Sequence, residues 1–501
     1  MTATVERRPD GGLANPTVVL AVLLLAGVSY SLSQTLLAPA LPAIISSLDT
    51  SPESASWLLT GFLLSASVST PVIGKLGDVH GKGRVLAGVM AIFTTGGVIC
   101  ALSNSIGPMI VGRVLEGVSG GVYPLAYSIV KETFPPQRVA GGLAMVSVLV
   151  GFGAAMGLLL AGVIVEYLGV PWLFWTSLLG IPAAILALRF IPSNPAPLRR
   201  RIDWWGAAIM SASLGSVLLA LSRANDWGWA SPLTLGLFAA GLAFLALFVW
   251  FENRHPDPII EMRVLRDRTV AATNLATCMV GFLIFIGFVL IPQLAHSPTS
   301  TGYGLGLSIT AAGAVVAPLA FMQLVTAPLI ARVGSRIGFR TVFIAGIAFT
   351  SASLLVLTLW HESVAGLLIS GALIGIGICG AYAGSANLIV AAVPPEEVGV
   401  ATGINTVARS VGGAFGTAVS TAILISQTPN GSEFPRDGGY TLAFAVAVGV
   451  GLLALAVALL VPHRRVPGPS AASPPETAKR TTLQPDQRRG RAPAGTSGGS
   501  S

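Results

Sequence analysis

The chain alternates between long apolar segments and short polar breaks along most of its length. A membrane-spanning helix needs about 20 mostly apolar residues, and about 14 segments between charged or Pro/Gly-rich breaks meet that requirement. We name these segments span 1 to span 14. They cover residues 17–45, 54–73, 85–103, 108–130, 141–165, 171–191, 204–221, 232–251, 269–292, 305–330, 341–360, 364–393, 398–425 and 440–461. The pattern predicts an all-α integral membrane protein.

The composition agrees with this interpretation. Of 501 residues, 53% are hydrophobic and 10% are charged, whereas a soluble domain carries about 25% charged residues. A surface with so few charges must face lipid, which excludes an ordinary cytosolic enzyme and a disordered protein. Cys100, Cys278 and Cys379 lie in apolar runs without metal-ligand spacing, so we expect neither a metal site nor a cofactor. The chain also lacks a G-x-x-x-x-G-K-[ST] nucleotide loop, which disfavours ATP-driven transport.

Basic residues predict the orientation, because lysine and arginine favour cytoplasmic loops. With a cytoplasmic N-terminus, about 25 of the 29 basic residues fall in cytoplasmic segments. Arg223 and Arg436 then lie in outer loops, while Arg113 and Arg409 remain inside spans. We therefore expect an even number of spans in the plasma membrane, with both termini in the cytoplasm.

An internal repeat divides the chain. PVIGKLGDVHGKG at residues 71–83 aligns with PLIARVGSRIGFR at residues 328–340, at a shift of about 257 residues. Gly153 and Gly157 align with Gly412 and Gly416 at nearly the same shift. Two landmarks in the same order indicate two homologous bundles of about six spans, which is the plan of a large class of transporters.

The repeat predicts five regions. The bundles cover residues 17–191 and 269–462, and a linker with two extra spans covers residues 192–268. Residues 1–16 form a cytoplasmic N-terminal tail. Residues 463–501 are rich in Pro, Ser, Gly and Arg, which predicts a disordered cytoplasmic tail.

Four segments resemble the major facilitator superfamily, and more narrowly its fourteen-span drug:proton antiporter branch. They are GKLGDVHGKGR at residues 74–84, RVLEGVSGG at 113–121, DWWG at 203–206 and FENRHPDPIIEMRVLRDR at 251–268. The resemblance implies two six-helix bundles in a pseudo-two-fold arrangement plus two extra central helices. It also implies a clamp between the halves on the cytoplasmic side, formed by Gly74, Asp78, Gly81, Lys82 and Arg84.

Two positions depart from that branch. Ser33 in SQTLLAPALP stands where the branch usually carries an acidic residue in span 1. In span 5, Gly157 is followed by Leu158 where the branch has a Gly-Pro pair. Both departures weigh against proton antiport and leave transport itself untouched.

Glu116 is the acidic residue that falls well inside a span, three residues after Arg113 on the same helix face. A carboxylate in the hydrocarbon region is costly and indicates a functional site. One hypothesis makes Glu116 a proton acceptor tuned by Arg113. The alternative is a static ion pair that only stabilises the span.

Several further residues are candidates for a substrate cavity or for helix packing. Arg409 lies near mid-membrane, where it either binds an anionic group, pairs with a carboxylate, or reaches backbone carbonyls. The cavity candidates are Gln34, Tyr123, Gln323, Tyr382, Asn387, Asn405 and Arg409. Small residues spaced four apart favour close helix packing, which we expect at Gly117, Gly121, Gly153, Gly157, Gly412 and Gly416.

The leading functional hypothesis is a monomeric secondary-active exporter of small apolar or cationic compounds, driven by protons through alternating access. Its partners are a small-molecule substrate, protons and the lipid bilayer, with no nucleic acid. An uncoupled facilitator or an importer of one metabolite is the first alternative. A membrane scaffold or sensor that does not transport is the second.

Overall fold

The structure is a computed structural model that describes residues 15–192, 203–429, 432 and 434–462. Within these ranges the regular structure is helical, without strands. The all-α membrane fold class predicted from the sequence is confirmed. The predictions for the N-terminal tail before residue 15 and for the tail after residue 462 lie outside the described residues.

Thirteen helices in the described part of the chain are long and apolar enough to cross a membrane. They coincide with every predicted span except span 4. In chain order they are Pro16–Leu48, Pro52–His80, Lys82–Leu102, Pro136–Tyr167, Pro171–Phe190, Trp204–Trp227, Pro232–Glu252, Arg268–His296, Ala317–Ile337, Phe339–Trp360, Val364–Ala392, Val398–Ser426 and Asp437–Leu459. A short helix at Met262–Arg266 precedes span 9, and another at Ile309–Ala314 forms the first part of span 10.

Span 4 is helical throughout residues 108–130, but it is not one regular α-helix. Helices Ile106–Gly117 and Val122–Thr133 are joined by a 3₁₀ turn at Val118–Gly121. The Ser119 hydroxyl donates to the carbonyl oxygen of Glu116 at 2.5 Å, a contact that competes with the regular helical hydrogen bonds. The glycines of the turn also let span 4 lie directly against span 2.

The polar breaks between spans supply helix caps. The side chains of Asn15, Ser51, Asp203, Ser231 and Asp267 each accept a hydrogen bond from a backbone N–H in the first turn of the helix that follows. Capping satisfies N–H groups that would otherwise lack partners. The same breaks that interrupt the apolar pattern therefore set where the helices begin.

The two halves repeat the same local geometry. Gly81 and Gly338 both have φ of 91°, between spans 2 and 3 and between spans 10 and 11. Their N–H groups donate to the carbonyl oxygens of Gly77 and Gly334, each at 3.0 Å. Span 1 packs on span 5 in the first half, and span 9 packs on span 13 in the second. Left-handed backbone favours glycine, which explains why both positions are glycine.

Spans 7 and 8 are central in sequence, and span 7 packs on spans 2 and 13 from different halves. The hydroxyls of Thr60 and Ser222 are 2.7 Å apart, and the Asn225 amide donates to the carbonyl oxygen of Ala418 at 3.1 Å. Span 7 therefore contacts both halves, while span 8 packs on span 7.

The placement of Arg223 in an outer loop is wrong. Span 7 continues to Trp227 and contains Arg223, which is 1% exposed. Its guanidinium lies 4.7 Å from the centroid of the Trp57 ring and donates to Asp226 at 3.1 Å. The apolar run ends before the helix does, because these contacts allow a charged residue to be buried.

Candidate functional site

A fully buried ion pair lies in span 4. Arg113 and Glu116 are each 1% exposed, and Arg113 Nη1 lies 2.5 Å from Glu116 Oε2. Arg113 also donates to Ser33 Oγ at 2.9 Å and to the Leu58 carbonyl oxygen at 3.2 Å. The guanidinium carbon lies 4.1 Å from the centroid of the Phe62 ring. One arginine therefore connects spans 1, 2 and 4.

Ser33 of span 1 also belongs to this cluster. It stands at the position where the resemblance expects an acidic residue, and its hydroxyl contacts the same guanidinium that Glu116 neutralises. The negative charge at Arg113 thus comes from span 4 itself. Sequence reasoning paired Arg113 with Glu116 by helical spacing but missed Phe62 and Leu58, because no spacing rule links residues of span 2 to span 4.

A small cavity of about 30 Å³, room for about one water molecule, lies between the two halves. Spans 1, 4 and 5 face spans 9, 12 and 13 across it. Its lining residues are Tyr30, Gln34, Thr35, Tyr123, Val150, Gly151, Ala154, Phe285, Phe288, Tyr382, Thr406, Arg409 and Ser410.

Four of the predicted cavity residues, Gln34, Tyr123, Tyr382 and Arg409, line this cavity. Arg409 is 7% exposed, and its guanidinium carbon lies 4.4 Å from the centroid of the Tyr382 ring. Among the described residues, no carboxylate forms an ion pair with Arg409. A buried cation therefore faces the cavity without a counter-charge from the described chain.

The other three predicted cavity residues have different surroundings. The Asn387 amide donates to the Ala383 carbonyl oxygen of its own helix at 2.9 Å. The Asn405 amide joins span 13 to span 9 through Asn274 at 2.9 Å and Thr277 at 3.1 Å. Gln323 is fully buried at the contact of spans 5 and 10, and neither its amide oxygen nor its amide nitrogen has a hydrogen-bond partner among the described residues.

An aromatic stack separates the ion pair from the cavity. The ring of Phe62, which lies under Arg113, stacks on Tyr30 with centroids 5.8 Å apart. Tyr30 in turn contacts Tyr123 edge-on at 5.7 Å, and both tyrosines line the cavity. The Tyr123 hydroxyl is hydrogen-bonded to Ser31 of span 1. A movement of span 1 would therefore change both the ion pair and the cavity wall.

The predicted clamp residues lie at the end of the bundle where span 1 begins and span 14 ends, which we call the terminal end. A methyl group added at Gly74 would lie 2.9 Å from the carbonyl oxygen of Gly399, the second residue of span 13. Asp78 Oδ2 approaches the same residue. Lys82 pairs with Asp78 at 3.2 Å and contacts Glu132.

Two clamp candidates do not contact the other half. Gly81 is the turn residue between spans 2 and 3 described above. Arg84 is exposed and forms no ion pair or hydrogen bond with the described residues. Of the predicted clamp residues, Gly74 and Asp78 thus lie at the contact between the halves, and Lys82 pairs with Asp78.

The predicted packing glycines all lie at helix contacts. A methyl group at Gly117 would lie 2.5 Å from the Phe62 carbonyl oxygen, and one at Gly153 would lie 2.5 Å from Ser31 Cβ. Methyl groups at the remaining four would overlap neighbouring helices: Gly121 on Ile73, Gly157 on Thr35, Gly412 on Cys278 and Gly416 on Phe282. Spans 5 and 13 therefore use equivalent glycines against spans 1 and 9.

The halves also touch at the opposite end of the bundle. A methyl group at Gly313, near the start of span 10, would lie 3.1 Å from the carbonyl oxygen of Leu158 in span 5. With the Gly74–Gly399 contact at the terminal end, the two halves therefore touch at both ends of the bundle in this structure.

Comparison with known proteins gives the family. The sequence matches the Major Facilitator Superfamily over residues 23–261 and 270–494. The chain belongs to this superfamily. The tetracenomycin C resistance and export protein of Streptomyces glaucescens is 31% identical over 445 residues, which cover 86% of this chain and 80% of the relative. As a superfamily member with many apolar helices, the chain is a multi-pass membrane protein.

Other superfamily members extend beyond the region they share with this chain. Two uncharacterized MFS-type transporters of Mycobacterium tuberculosis are 29% identical over 440 residues, and the chain spans 62% of their length. The crystal structure of a human organic anion transporter superposes with a TM-score of 0.60 at 17% identity, covering 88% of this chain and 99% of that one. This last similarity establishes the fold alone.

Proposed function

We propose that this protein is a proton-coupled exporter of small, largely apolar compounds that works by alternating access around the central cavity. The observation that supports this best is the buried pair Arg113–Glu116, which joins three spans of one half beside a cavity shared by both halves. The similarity to a resistance and export protein supports the outward direction. We further propose that it acts as a monomer in the plasma membrane with both termini in the cytoplasm.

Glu116 is the proposed proton carrier. While Glu116 is ionised, Arg113 is neutralised within span 4 and holds Ser33 of span 1. Protonation of the carboxylate removes that neutralising charge and leaves Arg113 to seek other partners, since an uncompensated buried charge is costly. Span 1, which carries the cavity residues Tyr30 and Gln34, then loses its fixed position.

The proposal is tested in inside-out vesicles with an imposed pH gradient and no membrane potential. We measure accumulation of rhodamine 123, a cation, and naphthalene-2-sulfonate, an anion. An acidic vesicle interior should accelerate accumulation of a substrate, and Glu116→Gln should remove that acceleration. The matched control is Glu362→Gln, which changes an exposed carboxylate. Accumulation that ignores the gradient in the wild type would exclude proton coupling.

An uncoupled facilitator is the second candidate, favoured by one observation. The Phe62–Tyr30 stack stands between Glu116 and the cavity, and Glu116 does not line the cavity. A carboxylate so placed also fits a purely structural ion pair. If Glu116→Gln retains both the rate and the response to the gradient, Glu116 has no part in coupling.

A further inference from the structure

The charge of the central cavity is positive. Among the described residues that line it, Arg409 carries the one formal charge. Glu116 is already engaged by Arg113 and lies behind the Phe62–Tyr30 stack. A cation taken out of water without a counter-charge is destabilising. A cavity that contains an unpaired cation is therefore suited to bind a ligand that carries a negative charge.

Five of the lining residues are aromatic, and they come from both halves. Tyr30 and Tyr123 contribute from the first half, and Phe285, Phe288 and Tyr382 contribute from the second. Aromatic side chains offer flat surfaces for stacking. The Arg409 guanidinium is already held over the Tyr382 ring at 4.4 Å, which orients its planar group within the cavity.

We propose that the cavity binds planar aromatic compounds that carry an anionic group, with Arg409 pairing the carboxylate, sulfonate or phenolate and the aromatic residues stacking on the rings. This inference rests on the proposed transport function, because the cavity must widen to admit such a compound. It departs from the expectation of apolar or cationic compounds drawn from the sequence, because the proposed ligand is an aromatic anion.

A cationic aromatic compound fits the same space less well. Like charges repel more strongly in a poorly solvated interior than in water, and no described carboxylate faces the cavity to offset Arg409. A neutral aromatic compound could stack but would leave Arg409 without a counter-charge. The anion alone satisfies both the arginine and the rings.

The first test uses the unmodified protein in lipid nanodiscs. Calorimetry compares naphthalene-2-sulfonate with 2-naphthyltrimethylammonium, which share one ring system and carry single charges of opposite sign that do not change with pH. We expect the sulfonate to bind at least about tenfold more tightly. Equal or tighter binding of the ammonium compound would overturn the inference, whatever the behaviour of any variant.

The second test locates the binding charge. Arg409→Gln should weaken sulfonate binding about tenfold or more and leave or improve ammonium binding, while Arg409→Lys should retain most of the sulfonate affinity. The control is Arg254→Gln, which removes a similar arginine that lies 4.4 Å over Trp250 but is exposed. Sulfonate binding that is unchanged in Arg409→Gln would overturn the assignment.

Transport of the same two compounds separates this inference from the proposed function. If the sulfonate binds through Arg409 but neither compound crosses proteoliposome membranes, the transport function fails and the binding site stands. If the ammonium compound is exported and the sulfonate neither binds nor moves, the transport function stands and the anion site is wrong.

Discussion

Two oppositely charged residues, Arg113 and Glu116, share one contact that water does not reach. Removing one member of a buried pair leaves the other uncompensated, which destabilises a protein by about 3–5 kcal/mol. We predict this loss for Arg113→Met, measured as thermal unfolding in detergent. The double variant Arg113→Met/Glu116→Leu should recover most of the stability, because an apolar pair of similar volume replaces the ions. A double variant as unstable as the single one would contradict this.

Gln323 presents the opposite case, a buried polar side chain whose polar atoms form no hydrogen bond within the described part of the chain. Its amide lies at the contact of spans 5 and 10, beside Gly151 of the cavity wall. A buried unsatisfied group costs about 1–3 kcal/mol. We predict that Gln323→Met stabilises the arrangement of spans 5 and 10 seen here by about that amount and slows transport.

The measurement for Gln323→Met combines thermal unfolding with turnover in proteoliposomes. Gln293→Met is the matched control, because Gln293 is an exposed glutamine near the end of span 9. A lower unfolding temperature with unchanged turnover would show that the amide is satisfied where it lies.

Single residues also show where sequence reasoning stops. The mid-membrane position of Arg409 follows from its distance along span 13, and the pairing of Arg113 with Glu116 follows from helical spacing. The ring under each arginine, Tyr382 and Phe62, comes from a different span. No spacing within one helix links these rings to the arginines, so only the packing of the spans places them.

Whole helices were predicted well in number and less well in their ends. The apolar run of span 2 stops at residue 73, yet its helix continues to His80, because the motif GKLGD remains helical until Gly81 turns the chain. The 3₁₀ turn in span 4 has no apolar signature, since it depends on glycines contacting span 2. Hydrophobicity indicates which segments face lipid. It does not indicate where a helix forms a 3₁₀ turn or continues past its apolar run.

Gly74 allows spans 2 and 13 to lie close together at the terminal end, so its substitution should separate them. In Gly74→Ala the new methyl group would meet the Gly399 carbonyl oxygen at 2.9 Å, so the two spans must separate at the terminal end. We predict faster hydrogen exchange of the backbone amides of residues 398–404 in nanodiscs. The measurement is mass spectrometry of the peptides from that segment.

The control for this variant is Gly88→Ala in span 3. A methyl group there meets no atom within 4 Å, so it should slightly stabilise the helix through its higher helical propensity. Exchange in Gly74→Ala that equals exchange in Gly88→Ala would mean that the contact with Gly399 does not hold the halves together.

Arg113, Arg409 and Glu116 together carry one net positive charge at and beside the central cavity. Export of a monovalent aromatic anion in exchange for one proton moves two charges in the same electrical direction. A facilitator that exports the anion without a proton moves one charge. At equilibrium, the anion ratio across the membrane then changes tenfold per about 30 mV for two charges and per about 59 mV for one.

We predict the two-charge slope, measured with naphthalene-2-sulfonate in proteoliposomes whose potential is set by a potassium gradient and valinomycin. A pH difference of one unit should add a further tenfold change in the ratio, because one proton is exchanged per anion. In Glu116→Gln the slope should fall to the one-charge value and the pH effect should vanish. A one-charge slope without a pH effect in the wild type would instead identify an uncoupled carrier, in which the membrane potential alone expels the anion and Glu116 only holds Arg113 in place.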